Sequence, residues 1–233
     1  MREALPSVLA APEFTLPLWF NLVAGLFLSI TGALAAMRRH YDVVGVFSLA
    51  FVAGLGGSLL RDGIFLQNGP PLLLRDWHYL GVVILGCLVS YILYDRLDRF
   101  RLVFDGFDAV GLAAYALVGT QMALKGGLSS PAAVLVGMVN AVGGGVMRDV
   151  LIREEPLLFK PGEFYALAAA GGCTLFVVLT QLFTAPGAAA AVVSSLIILV
   201  VRLLTIRYNW RTSPLRVPIR NDLNPSAGNP PSR

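Results

Sequence analysis

Apolar residues in this chain fall into seven long runs, at about 18–37, 43–61, 78–94, 107–124, 131–151, 163–183 and 187–206, with charges clustered mainly between them. Each run is near the roughly 20 residues that a helix needs to cross a bilayer's hydrocarbon core. A large soluble core would give the surface helices a polar stripe, and these runs lack one. The pattern predicts an all-α membrane protein with seven transmembrane helices.

The runs also repeat. Leu55-Gly56-Gly57-Ser58-Leu59-Leu60-Arg61-Asp62 returns as Val142-Gly143-Gly144-Gly145-Val146-Met147-Arg148-Asp149. At the same gapless offset Phe20 meets Phe107, Asn21 meets Asp108, Val23 meets Val110, Gly32 meets Gly119 and Arg38 meets Lys125. Asp42 meets Ser129, and both residue types favour helix N-termini. With small gaps Pro71 aligns with Pro156 and Cys87 with Cys173. Each copy holds three runs, an odd number, so the second copy must enter the membrane from the opposite side. The expected architecture is two inverted three-helix repeats plus a seventh helix. Residues 1–16 form an N-terminal segment, 17–94 the first repeat, 95–106 a cytoplasmic linker, 107–183 the second repeat and 184–211 the seventh helix. Residues 212–233, rich in Pro, Ser, Asn and Arg, read as a disordered cytoplasmic tail.

Two readings of the glycines stand side by side. Gly56-Gly57 and Gly143-Gly144-Gly145 loosen a helix, since each interior glycine costs about 0.5–1 kcal/mol relative to alanine, and a kink there would open a polar pathway. Small residues also let two helices approach closely, and Ala50 with Gly54, and Gly137 with Ala141, have the spacing for it. The charges that follow bear on both. An Arg or Asp at the bilayer centre costs about 2.5–3.5 kcal/mol on insertion scales, so Arg61, Asp62, Arg148 and Asp149 need partners or water. Sequence neighbours point about 100° apart on a helix, so Arg61 and Asp62 need partners on other helices or in water, and pairing across the repeat axis, Arg61 with Asp149 and Arg148 with Asp62, is one arrangement open to them. Such charges would brace the helix ends, line a pathway, or do both.

Composition agrees with the membrane assignment: 56% of residues are hydrophobic, 14% are charged and the mean hydropathy is +0.72. With the N-terminus outside, 14 of the 18 Lys and Arg residues fall on the cytoplasmic side, which the positive-inside rule favours. The cell membrane is the expected location, with the C-terminus cytoplasmic. The basic balance then reflects topology and gives no reason to expect nucleic acid. Ala33-Leu34-Ala35 imitates a signal cleavage site, but Arg38 and Arg39 follow the first run instead of preceding it, as in an uncleaved span. Cys87 and Cys173 sit inside runs with no metal or disulfide pattern around them, His40 and His78 sit at run ends, and no cofactor or hydrolytic site is expected.

The twin Gly-Gly-x-x-x-Arg-Asp pattern, Asp108-Ala109-Val110-Gly111-Leu112-Ala113 and Val118-Gly119-Thr120-Gln121-Met122-Ala123-Leu124 resemble the prokaryotic trimeric intracellular cation channels over about residues 17–206. That family has long been classed among uncharacterised membrane proteins, with a domain also labelled as a glycine transporter. The resemblance implies a homotrimer in which each protomer holds a potassium-permeable pore flanked by the second and fifth helices. The kinks then fall at Gly56-Gly57 and Gly143-Gly144-Gly145. Ser58 stands where a full glycine triplet would have its third glycine, and Thr120-Gln121-Met122 lies where animal members carry a basic Lys-Glu-Val motif.

The leading functional expectation is a passive channel for potassium or other monovalent cations, with Ser58, Thr120 and Asn140 supplying oxygens along the path. The partners expected are membrane lipids, the permeant ion and two further copies of the chain. A secondary transporter of glycine or another small zwitterion is the alternative, with paired Arg and Asp holding its two ends. A non-conducting scaffold would account for the small-residue faces but leave the repeated charges without a purpose.

Overall fold

The computed structural model describes residues 15–94, 100–160 and 164–208, and the described part is helical with no strand. The proposed tail at 212–233, nearly all of the N-terminal segment, residues 95–99 of the linker and 209–211 of the seventh-helix segment lie outside the described residues. Eight α-helices follow in order: α1 (Leu18–Arg38), α2 (Val43–Leu60), α3 (Leu72–Arg75), α4 (His78–Tyr94), α5 (Phe100–Lys125), α6 (Ser130–Leu151), α7 (Tyr165–Gln181) and α8 (Gly187–Tyr208). Among the described residues five helical stretches are long and apolar enough to cross a membrane: α1, α2 with its extension to Leu66, α5 from Val103, α6 and α8. The other two apolar helices, α4 and α7, have 17 residues each and occupy the third place in each repeat.

Local chemistry sets the boundaries. The Asp42 carboxylate accepts the Gly45 N–H at 2.8 Å and caps α2. Its repeat equivalent Ser129 takes the N-cap position of α6, with a proline in the first turn that follows. Between α1 and α2 the chain turns through His40 at φ 55°, and between α5 and α6 through Gly127 at φ 80°. These are repeat-equivalent positions, and in the second copy glycine makes the left-handed turn without a steric penalty.

Each repeat packs as a triplet. In the first, α1, α2 and α4 touch one another, as α5, α6 and α7 do in the second. The repeats meet through α1 against α5 and α2 against α6, while α8 lies against α5 and α7, outside the duplicated core. The first helix of each repeat is the innermost, with 67% of the α1 span and 83% of the α5 span buried, against 33% for α8. The apolar side chains left exposed on α4 and α8, among them Leu80, Ile84, Leu88, Ile197 and Val200, suit a lipid-facing or subunit-facing surface.

The glycine motifs make the contact between α2 and α6. A Cβ on Gly57 would strike the Asn140 carbonyl oxygen, and a Cβ on Gly144 would strike the Ala53 carbonyl oxygen. Likewise Gly56 faces Met147 while Gly143 faces Leu60. Asn140 is the repeat equivalent of Ala53, Gly144 of Gly57 and Met147 of Leu60. Each contact therefore has its mirror, and ascending residues of α2 meet descending residues of α6. The two helices cross antiparallel, with equivalent contacts on the two sides of the crossing.

Gly56 and Gly57 lie within α2, and Gly143, Gly144 and Gly145 within α6. Helix α6 runs uninterrupted through its three glycines, and α2 leaves α geometry only afterwards, in a π-helical extension at Arg61–Leu66. The reason is that the glycines' missing side chains are used to bring two backbones together, and that packing supports the helices it crosses.

Alanine at Gly57 or Gly144 should lower stability by about 1–3 kcal/mol, because the new methyl meets backbone that cannot rotate away. Gly171→Ala in α7 has open space and should be neutral or mildly stabilising. Thermal melting of the three purified variants in detergent checks this. Wild-type melting in both crossing variants would remove the glycines from the contact.

Candidate functional site

Two Arg-Asp clusters sit at opposite ends of the α2–α6 crossing. In the first, Arg61 Nε donates to Asp62 Oδ1 at 2.6 Å, and Asp62 Oδ2 accepts the Leu72 N–H at 3.0 Å. In the second, Arg148 Nε donates to Asp149 Oδ1 at 2.8 Å, and Asp149 Oδ2 accepts the Leu157 N–H at 3.3 Å. Leu72 and Leu157 each follow the repeated proline, Pro71 or Pro156. Each aspartate thus binds its own arginine and pins the chain that returns after the glycine helix.

This corrects the expectation that Arg61 pairs with Asp149 and Arg148 with Asp62. The arginine stem is long enough to curl back to the adjacent carboxylate although the two Cβ directions diverge. The backbone N–H on the far side of the carboxylate then fixes it there. Each motif arginine is paired with the aspartate of its own repeat, while Arg148 with Thr31, Tyr115 with Gly54 and the Arg39–Glu154 ion pair reach across to the other repeat.

The two clusters differ in how fully the guanidinium is used. Arg148 Nη1 also donates to Thr31 Oγ1 at 2.9 Å and to Asp108 Oδ1 at 3.0 Å, and its plane lies 4.6 Å from the Phe104 ring centre. Asp108 Oδ1 and the Tyr165 hydroxyl approach the open side of Gly145, and Arg202 from α8 lies over the Tyr165 ring at 4.8 Å. In the first cluster Asn21 stands at the place of Asp108, and its amide donates to the Tyr79 hydroxyl at 2.7 Å. Arg61, Arg148, Asp108 and Arg202 are all at most 1% exposed.

The expected polar pathway residues lie near the crossing, with Asn140 Nδ2 and Thr120 Oγ1 hydrogen-bonded and Asn140 Oδ1 left without a partner. Asn140 Nδ2 donates to the Tyr115 carbonyl at 2.7 Å, and Thr120 Oγ1 donates back to Ala116 of its own helix at 2.8 Å. The Ser58 hydroxyl sits beside the Tyr115 hydroxyl, which itself donates to the Gly54 carbonyl at 2.7 Å. Ser58 and Asn140 thus meet Tyr115 from opposite repeats. Thr120 packs one turn away, against Gly137.

A cavity lies against each cluster. The one beside Asp149 has a volume of about 520 Å³ and is lined by Arg38, Arg39, Asp105, Glu154 and Lys160 among others. The one beside Asp62 has about 120 Å³ and is lined by Leu72, Arg75 and Met122 among others. Both have the motif aspartate and its capped leucine in the wall, with a basic residue opposite. The two polar recesses are therefore matched in design and unequal in size.

Sequence reasoning missed Thr31, Tyr79, Tyr115, Tyr165 and Arg202 as members of these clusters and passed over Asp108 as a site residue. The pairing of Asn21 with Asp108 at the repeat offset was one signal. A lone arginine, Arg202, inside the last apolar run was another.

The family profile described as Glycine transporter matches the chain twice, over residues 18–95 and 106–181, which are its two repeats. The chain is 36% identical over 199 residues to the UPF0126 membrane protein of Deinococcus radiodurans, covering 85% of this chain and 91% of the relative. It is 30% identical over 194 residues to the UPF0126 inner membrane protein YadS of Escherichia coli, covering 83% and 93%. Among solved structures it is similar to one described for conductance through TRIC cation channels, with a TM-score of 0.75 at 30% identity, covering 87% of this chain and 98% of that one. It is also similar to the trimeric intracellular cation channel orthologue from Rhodobacter sphaeroides, with a TM-score of 0.78 at 26% identity, covering 82% and 97%. With the profile doubled over both repeats and the fold shared along nearly the full length of both solved chains, this protein belongs to the trimeric intracellular cation channel family.

Proposed function

We propose that this chain is a passive channel for monovalent cations, potassium above all, with one pathway inside each protomer of a homotrimer in the cell membrane, its N-terminus outside. The observation that carries the reading is the pair of matched Arg-Asp recesses at opposite ends of the α2–α6 crossing. An ion reaching either recess meets a carboxylate, Asp62 or Asp149, whose positive neighbour softens its hold, so binding stays weak enough for release. Between them the path runs alongside the crossing formed by Gly56, Gly57, Gly143, Gly144 and Gly145, where close backbone packing leaves carbonyl and small polar groups at its edge. The Asn140 side-chain oxygen accepts no hydrogen bond from the protein and can stand in for a water of hydration, with Ser58 and Thr120 as further oxygens. Unequal recess sizes fit a state in which the Asp62 side is the narrower.

The profile's description as Glycine transporter supports a second reading, in which arginine and aspartate grip the carboxylate and ammonium of a zwitterion. The geometry weighs against it, because each arginine already spends its Nε on its own aspartate and Arg148 is further bound by Asp108 and Thr31. Planar bilayer recording of the reconstituted protein separates the two. Discrete unitary currents carried by potassium are expected. Saturable, competitor-sensitive glycine uptake without current steps would overturn the channel.

Chemical cross-linking in native membranes should converge on a trimer band. A dimer as the limiting species would contradict the assembly proposed here.

Removing Arg148 strands two carboxylates, Asp108 and Asp149, in a buried site. Arg148→Ala should therefore cost about 3–5 kcal/mol, and Asp108→Asn in the same chain should recover part of it. Arg61→Ala should cost less, since it strands one carboxylate, Asp62, where Arg148 holds two. Melting curves of the four proteins check the ranking, and an Arg148→Ala protein as stable as wild type would refute the brace.

A further inference from the structure

The two repeats treat the same arginine differently. The guanidinium carries five N–H donors, and in Arg61 the Nε donor goes to Asp62 while Nη1 and Nη2 find no acceptor in the protein. Its repeat equivalent Arg148 donates from Nη1 to the Asp108 carboxylate and to Thr31. The acceptor is missing at Arg61 for an identifiable reason: the repeat equivalent of Asp108 is Asn21, whose amide is turned to Tyr79 and whose Oδ1 takes no bond from Arg61. Arg61 is 0% exposed, so its charged fork is buried with four donors unspent. Leaving donors of a buried charged group unsatisfied is among the costlier defects a fold can carry.

We propose that the first repeat is a binding site for one small monovalent anion, of halide size, held on the Nη edge of Arg61 in the place that the Asp108 carboxylate fills in the second repeat. Three observations define the ligand. The free groups are donors, so the ligand must be an acceptor. The Tyr79 hydroxyl accepts from Asn21, which leaves its own proton to donate, and it lies within electrostatic reach of Arg61. Asp62 has both oxygens engaged, one by Arg61 Nε and one by the Leu72 N–H, so its carboxylate is held away from the Nη edge. A single charge is favoured because Asp62 already offsets part of the Arg61 field, and a small sphere because Arg61 is 0% exposed and its Nη edge is enclosed by the packed helices. The second repeat has no such site, since Arg148 is completed by Asp108. With the anion in place, the Asp62 charge faces its recess with less compensation from Arg61.

The site is tested on the purified full-length protein, with no need for conduction. At equal ionic strength and potassium concentration, wild type should melt about 2–4 °C higher in chloride or bromide than in gluconate, with a saturable dependence on the halide. Asn21→Asp, which builds the second repeat's carboxylate into the first, should abolish that increment and melt alike in all three salts. Crystals of the wild-type protein grown in bromide should show an anomalous peak within hydrogen-bond distance of Arg61 Nη1 or Nη2, and none at Arg148. This measurement stands even if the Asn21→Asp protein fails to fold. Equal wild-type melting in the three salts, a full halide increment retained by Asn21→Asp, or bromide peaks confined to other positions would each overturn the proposal.

Discussion

The close antiparallel crossing of α2 and α6 is the constraint on which the rest of this structure hangs. Gly57 lies on the Asn140 carbonyl and Gly144 on that of Ala53, so two backbones meet with no side chain between them. Lipid tails are as apolar as the helices, so this association cannot draw on a hydrophobic effect and depends on packing instead. The same contact is made twice, once from each repeat. It also places the C-terminal ends of the two glycine helices, and with them the two charged clusters, on opposite sides of the molecule.

The aspartate of each cluster solves two problems with one carboxylate. A buried arginine at a helix end needs a counter-charge, and the chain beyond the helix needs its backbone N–H satisfied where water is scarce. Asp62 and Asp149 each do both, through Oδ1 and Oδ2. The π-helical extension after Leu60 belongs to this arrangement, because it carries Arg61 and Asp62 past the crossing before the chain turns through Gln67 at φ 48°.

Symmetry between the repeats is held where backbones touch and relaxed where side chains can vary. The glycine contacts match pair for pair, but Asn21 replaces Asp108, and α8 adds Arg202 to the second cluster alone among the described residues. A duplicated scaffold thereby holds two recesses of different charge and different volume. Any directional property of the molecule has to come from these differences, since the shared contacts treat both ends alike.

The chain's own residues determined where the apolar helices lie and in what order, because run length and the lack of a polar stripe are enough to mark a helix that water does not cover. The duplication was legible as well, in the Gly-Gly-x-x-x-Arg-Asp pattern that occurs twice. Asp42 and Ser129 marked helix starts for a reason local enough to read from sequence. What the glycines do was decided by tertiary structure: a Gly-Gly pair weakens a lone helix, but against a second backbone it becomes the one residue that fits. Arginine partners were likewise beyond the sequence. Helical geometry gives the direction in which a side chain leaves the backbone, and the reach of an arginine then covers several neighbours. Only the packed structure shows that Asp62 and Asp149 are anchored by Leu72 and Leu157, that Asp108 completes Arg148, and that Arg61 is left with donors to spare.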